Sequence, residues 1–272
     1  MNYEVFYCCS VPVPGKFVNF FPSNALSMKR ALQQDSSSSS TKKARPTNVI
    51  GVLALQGAFK EHCIMLKSSS SSIETREVRT IQDFDNLIGL VIPGGESTAI
   101  AKIATRFGTA KKGGQDDMFG ALRKWIQIEQ RPVWGTCAGL IFMAENIIDG
   151  AKIGGQPLIG GLNVDVSRNY FGKQIKSFEA EIQPPPLKKV KGEEEEDEEE
   201  DTYTGIFIRA PAILRVGKDV VTLASVMSES GEEVAVAVEQ GQLLATAFHP
   251  ELTEDTRWHE YFVKKCLLKG KD

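Results

Sequence analysis

The 272-residue sequence predicts an α/β protein with three layers, a mostly parallel sheet flanked by helices. Two observations carry this. Apolar runs of strand length (residues 48–55, 87–92 and 132–134) alternate with segments of helical spacing, giving β-α-β-α-β-α order. The runs are apolar throughout rather than alternating, as strands buried on both faces are.

Residues 48–55 (NVIGVLAL) form the first strand, ended by Gln56-Gly57. Residues 58–66 have helical spacing, and a serine run at 68–72 makes the next loop. Residues 74–79 read as a second strand. Residues 87–92 (LIGLVI) are a third, ended by Pro93-Gly94-Gly95. Helices are expected at 97–106 and 118–129, with Lys111-Lys112-Gly113-Gly114 as an insertion between them. A short strand at 132–134 runs into Gly135-Thr136-Cys137-Ala138-Gly139, and a helix is expected over 140–148. The second half is richer in strands, expected at 161–166, 175–182, 205–209, 220–225, 233–238 and 242–248. A helix over 256–268 follows.

Two segments fall outside this pattern. Residues 1–47 contain Pro12, Pro14, Pro22, a serine run and Lys42-Lys43-Ala44-Arg45, with no sustained period, and read as a disordered tail. The tail is poor in acid and fairly rich in Ser, as transit peptides are, but Arg is sparse. Its short basic cluster reads as solvated linker. Residues 184–201 join a proline triplet to nine consecutive acids, Glu193 to Asp201. Such a stretch cannot bury enough apolar surface to fold and is expected as a disordered surface insertion. The domain proper is therefore 48–268.

Charge excludes some functions. The net −3 comes from the acidic run, and six of the basic residues lie in the tail. The body is near neutral, without the clustered basic face of a nucleic-acid binder. No apolar run approaches the roughly 18–20 residues of a membrane helix. Five scattered cysteines give neither a disulfide framework nor zinc spacing, which suits a reducing, cytoplasmic setting. No Walker pattern or GxGxxG is present, so no cofactor is expected.

Cys137 is the first candidate for chemistry. Gly-x-Cys-x-Gly between a strand and a helix is the nucleophile-elbow pattern with Cys for Ser. The two glycines let strand and helix approach closely, and the helix N-terminus favours negative charge on the sulfur. The plain alternative is a small buried hydrophobe. His249 and Glu251, in His-Pro-Glu after the strand at 242–248, share a face in extended chain. Glu251 can then fix the tautomer of His249, leaving the other ring nitrogen for the thiol proton. The Gly94-Gly95 turn exposes backbone N–H groups, and with the Ala138 amide it could form an oxyanion hole. The alternative is a helix cap supplied by Glu96 or Ser97. His62 and His259, in helical patterns, read as structural or surface residues. All three elements fall at C-terminal ends of parallel strands, where open α/β sheets bind ligands.

These residues resemble the class I (triad-type) glutamine amidotransferases. More closely, GVLALQG at 51–57, PGGEST at 93–98, GTCAGLI at 135–141, RNYFG at 168–172, SFEA at 177–180, FIRAP at 207–211 and FHPELTEDTRWH at 248–259 together resemble the glutaminase subunits of pyridoxal 5'-phosphate synthase (the PdxT/SNO family). The resemblance covers 48–268 in order, and neither the tail, the stretch from Lys111 to Gln115 nor the acidic insertion interrupts a motif. It implies a flavodoxin-like fold and hydrolysis of L-glutamine to glutamate and ammonia through a thioester on Cys137. His249 would act as acid and base, oriented by Glu251. Gly95 and Ala138 would hold the oxyanion. Gly95, Glu96, Ser97, Arg168, Ile208 and Arg209 would bind glutamine, an arginine fork suiting its carboxylate. The implied partner is a (β/α)8-barrel synthase subunit in a large hetero-oligomer that receives the ammonia internally. Two rivals remain: another Cys-dependent enzyme on the same fold, which would not be expected to carry RNYFG and FIRAP, and a non-catalytic subunit, which would tolerate loss of Cys137, His249 or Glu251.

Overall fold

The computed structural model describes residues 48–106, 117–149, 157–168, 170, 177–187, 201–228 and 230–269. The tail at 1–47, the Lys111 insertion and the acids at 193–200 lie outside the described residues, as do residues 175 and 176 at the start of one expected strand.

Twelve strands and five α-helices are described. Their order is β1 (Val49–Leu53), α1 (Phe59–Ser69), β2 (Glu74–Val78), β3 (Leu87–Ile92), α2 (Ser97–Arg106), α3 (Met118–Arg123), β4 (Val133–Thr136), α4 (Ala138–Met143), β5 (Ala144–Asp149) and β6 (Leu162–Ser167). Then come β7 (Ser177–Ile182), β8 (Tyr203–Ile208), β9 (Ala212–Val216), β10 (Val221–Met227), β11 (Glu233–Gln240), β12 (Leu243–Thr246) and α5 (Arg257–Lys269). The main sheet runs β2-β1-β3-β4-β12-β11-β9-β6-β5, with β10 added to β11. Its first five strands are parallel; β11 is antiparallel to β12, β9 and β10, and β5 pairs parallel with β6. Strands β7 and β8 form a separate antiparallel pair.

The apolar runs are buried on both faces as expected: Ile50, Val52, Leu87, Leu90, Val91, Ile92 and Val133 are sealed from solvent. Helix α1 packs on α5, and α2 packs on α3 and α4. Burying this apolar surface is the main favourable contribution to the fold.

Three elements differ from the sequence expectation. The helix expected over 140–148 stops at Met143, because Ala144 turns extended (φ −61°, ψ 153°) and residues 144–149 pair with β6. The expected 118–129 helix is α-helical to Arg123 and finishes as a π-turn over Lys124–Ile128. Strand β9 was not anticipated. It enters the sheet between β11 and β6.

The stretch between β7 and β8 is placed at both ends. Pro185 is buried, and Arg257 donates to Asp201 at 2.6 Å. Because Ile182 pairs with Tyr203, the intervening residues join two hydrogen-bonded strands. Among the described residues, no helix is long and apolar enough to cross a membrane.

Candidate active site

Four strand ends build the site. β1 leads to Gln56 and Gly57, β3 to residues 93–97, β4 to Cys137, and β12 to His249. Because β4 and β12 are adjacent and parallel, with Thr136 opposite Thr246, their C-terminal ends emerge side by side.

Cys137 occupies the elbow with φ 47° and ψ −97°, a left-handed conformation rare for a side-chain-bearing residue. Such strain costs on the order of 1–3 kcal/mol and persists only where the surroundings enforce it. Here the Cys137 amide donates to Thr246 O at 2.8 Å, and its carbonyl accepts from Ile141. The glycines are sterically required. A Cβ on Gly135 would stand 2.6 Å from the Gly139 carbonyl carbon, and one on Gly139 would collide with the Ile92 carbonyl. The plain reading of Cys137 as a packing residue does not account for this backbone.

The Cys137 side chain and the His249 ring stand against the same point of the chain: a Cβ on Gly94 would lie 3.4 Å from Cys137 Cβ and 2.5 Å from His249 Cε1. On the ring's far side Nδ1 lies 2.8 Å from Glu251 Oε1, with both residues buried. His249 is fixed from behind as well, its amide donating to Ile206 O at 2.8 Å. Burial alone would lower the pKa of His249. The Glu251 carboxylate and Cys137 outweigh it and raise that pKa well above 6.5. Burial alone would raise the pKa of Glu251, but His62 and His249 bring it down to about 2, so it is a carboxylate at neutral pH.

The loop after β3 closes over this pair. A Cβ on Gly94 would lie 2.5 Å from the His249 ring, so only glycine lets the loop pass. Gly94 N–H donates to Thr136 Oγ1 at 2.9 Å, and Glu96 N–H to Gln56 Oε1 at 2.8 Å. The Glu96 carboxylate accepts from the Thr98 and Ala99 amides, the helix-capping role weighed from sequence. Gln56 belongs to a quoted motif, but its function as a strut beneath the loop was not anticipated. Ala138 opens α4, where first-turn amides have no intrahelical acceptor.

Arg168, at the end of β6, reaches this loop. Its guanidinium donates to the buried Ser97 hydroxyl at 3.1 Å, while its Nε is buried without a partner. Burial lowers its pKa and Glu96 opposes that shift, but it stays a cation. Ile208 and Arg209 end β8, whose Ile206 carbonyl holds the His249 amide. Arg209 is exposed, with φ 45°. No polar contact joins it to the other candidates among the described residues. The structure thus brings Cys137, Ala138, His249, Glu251 and the 94–97 loop together, attaches Arg168 to that loop, and leaves Arg209 at the margin.

His62 and His259, expected as structural or surface residues, are not on the surface. Both are fully buried, and His62 touches Glu251 (Nε2 to Oε2, 3.3 Å). No cluster of metal-ligating side chains occurs among the described residues.

Fold and site together define a class, an α/β glutamine amidotransferase. A solved structure titled "Crystal structure of glutamine amidotransferase" is similar with TM-score 0.64 and 38% identity, over 80% of this chain and 98% of that one. The chain belongs to the SNO glutamine amidotransferase family, whose model matches residues 52–268. Similar curated relatives include the probable pyridoxal 5'-phosphate synthase subunit PDX2 of Arabidopsis thaliana, 46% identical over 79% of this chain and 84% of that one. Another is pyridoxal 5'-phosphate synthase subunit PdxT of Herpetosiphon aurantiacus, 43% identical over 79% of this chain and 98% of the relative.

Proposed function

We propose that this chain hydrolyses L-glutamine to L-glutamate and ammonia and supplies the ammonia to a synthase subunit that makes pyridoxal 5'-phosphate. The observation that carries the chemistry is the strained Cys137 beside an imidazole that a buried carboxylate holds from behind. The names of the relatives carry the pathway.

Cys137 attacks the side-chain carbonyl carbon of glutamine, and His249 takes the thiol proton. The oxyanion is held by the amides of Gly95 and Ala138. As the C–N bond breaks, His249 returns the proton to the leaving nitrogen, releasing ammonia and leaving a glutamyl thioester. Water then attacks the thioester, with His249 as base, and glutamate leaves. Glu251 keeps the Nδ1 proton on His249, so that Nε2 faces the sulfur. The Glu96–Ser97 loop, Arg168, Ile208 and Arg209 bind the amino-acid end. The cationic Arg168 beside Ser97 suits an α-carboxylate. Ammonia protonates in bulk water and loses its nucleophilicity, so transfer to a barrel-shaped partner within a shared assembly suits the chemistry.

Glutamate release and cofactor formation are measured with the synthase subunit present. Cys137→Ala is expected to abolish glutamine-dependent turnover, while the complex still forms product from added ammonium salt. Near wild-type glutamine turnover in the variant overturns the proposal.

A further inference from the structure

Behind Glu251 lies a second pair of imidazoles. His62, on α1, and His259, on α5, are both fully buried and bonded to each other (His62 Nδ1 to His259 Nε2, 3.1 Å). His62 Nε2 lies 3.2 Å from Thr136 Oγ1 and 3.3 Å from Glu251 Oε2. Packing alone does not explain this arrangement. An apolar side chain would fill the space without the cost of burying a polar ring.

The contacts fix the protons. His259 Nδ1 is buried without a partner. An orphaned lone pair is tolerated better than an orphaned N–H. The His259 proton therefore sits on Nε2 and is donated to His62 Nδ1. With Nδ1 accepting, the His62 proton must sit on Nε2, facing both Thr136 Oγ1 and Glu251 Oε2. The Thr136 contact has hydrogen-bond geometry, and the Glu251 oxygen is a close polar neighbour beside it. Burial lowers the pKa of His62, outweighing Glu251, which favours the neutral ring with this one proton. Glu251 Oε2 is buried and makes no well-aligned hydrogen bond among the described residues, so the His62 Nε2 approach at 3.3 Å is the contact available to it, while Oε1 is taken by His249. Thr136 Oγ1 also accepts from Gly94 N–H, so one hydroxyl ties the His62 donor to the proposed oxyanion loop.

We infer that His62 is a positioning residue. Its Nε2–H holds the outer oxygen of Glu251, setting the carboxylate plane that orients His249, and through Thr136 it couples that carboxylate to the loop over Cys137. His62 touches neither substrate nor sulfur; it acts through Glu251. The inference rests on the proposed glutaminase reading for its activity readout. A second readout, the alkylation of Cys137 by iodoacetamide, depends only on the Cys137–His249–Glu251 geometry.

Two variants separate the His62 contacts. His62→Gln keeps an N–H near the Nε2 position. His62→Asn keeps an acceptor near Nδ1 for His259 but removes the donor to Glu251. Each is compared with wild type in complex with the synthase subunit, for kcat, KM for glutamine and melting temperature. Cys137 alkylation is followed on the free full-length chain. Outer partners that orient a metal-bound imidazole are worth roughly 10- to 100-fold in activity, and the same scale is expected for an imidazole oriented by a carboxylate. His62→Asn is expected to lose kcat by that factor, with KM within about twofold, and to slow alkylation. His62→Gln is expected to recover most of both. Equal kcat and equal alkylation rates in the two variants, or wild-type values in folded His62→Asn, overturn the inference. If the wild type hydrolyses no glutamine, the glutaminase proposal falls, and alkylation still decides the role of His62.

Discussion

Cys137, His249 and Glu251 are 7%, 9% and 5% exposed, and each is gripped from more than one side. Thr246 holds the cysteine backbone, Ile206 the histidine amide, and His249 one oxygen of the carboxylate, whose other oxygen lies 3.3 Å from His62. Arg168 and Arg209 stand differently. They sit where β6 and β8 end, outside the run of five parallel strands from β2 to β12, one half-buried with an unpartnered Nε and the other exposed. The cluster proposed to break bonds is built on the parallel half, where neighbouring strands of like direction bring their ends together. Of the residues proposed to recognise the amino acid, Glu96 and Ser97 share the parallel half, whereas Arg168, Ile208 and Arg209 follow or end strands with antiparallel neighbours, β9 and β7. The contrast teaches a division of labour. Geometry that must be held closely is buried and cross-braced, whereas recognition of a mobile, charged ligand is left to side chains that still have donors to give.

That contrast can be broken most sharply at Glu251. Glu251→Gln removes the charge that sets the His249 tautomer, and kcat is expected to fall by roughly 10³-fold or more, with KM little changed. The same variant has a pH signature. The folded-state pKa of Glu251 is depressed, from 4.5 to about 2, so its contribution to stability is present above pH 4.5 and is lost as pH falls toward 2. Chemical unfolding across that window is expected to show wild type losing roughly 3 kcal/mol relative to Glu251→Gln, as a shift of this size implies. A parallel pH dependence of the two proteins would contradict a buried, ionised Glu251.

Arg168 sharpens the other side. Arg168→Ala is expected to raise KM for glutamine by roughly 10- to 100-fold, the range for hydrogen bonds to a charged group. Its kcat should stay within a few-fold of wild type, and steady-state kinetics on the complex separate the two. A variant that loses kcat at unchanged KM would place Arg168 with the buried cluster instead.

Much of the cluster was legible before any coordinates. Gly-x-Cys-x-Gly at a strand-to-helix junction is local, and the positive φ at Cys137 and the tight approach of Gly135 and Gly139 are what that pattern demands. His249 and Glu251 are two residues apart, so their pairing needs only the local backbone. What stayed hidden depends on distant partners. Residues 144–149 look helical by spacing because nothing local reveals that β6 will pair with them. Strand β9 is short, follows Pro211, and takes its conformation from β6 and β11. His62 lay inside an ordinary helical pattern, and only the packing of α1 on α5 and on the turn at Pro250–Leu252 brings it to His259 and Glu251. Gln56 likewise needs the loop after β3 before it has anything to hold.

The central claim is that Cys137 is the atom at which glutamine is opened, and the covalent intermediate tests it most directly. The full-length chain, in complex with its synthase subunit, is mixed with isotopically labelled glutamine, quenched in acid within the first turnovers, digested and analysed by mass spectrometry. The account predicts a labelled glutamyl adduct on the peptide containing Cys137, released by mild base as a thioester is and absent from His249→Ala. Labelled glutamate forming at the wild-type rate with no adduct on Cys137, or with the adduct on Cys63 or Cys266, would contradict it.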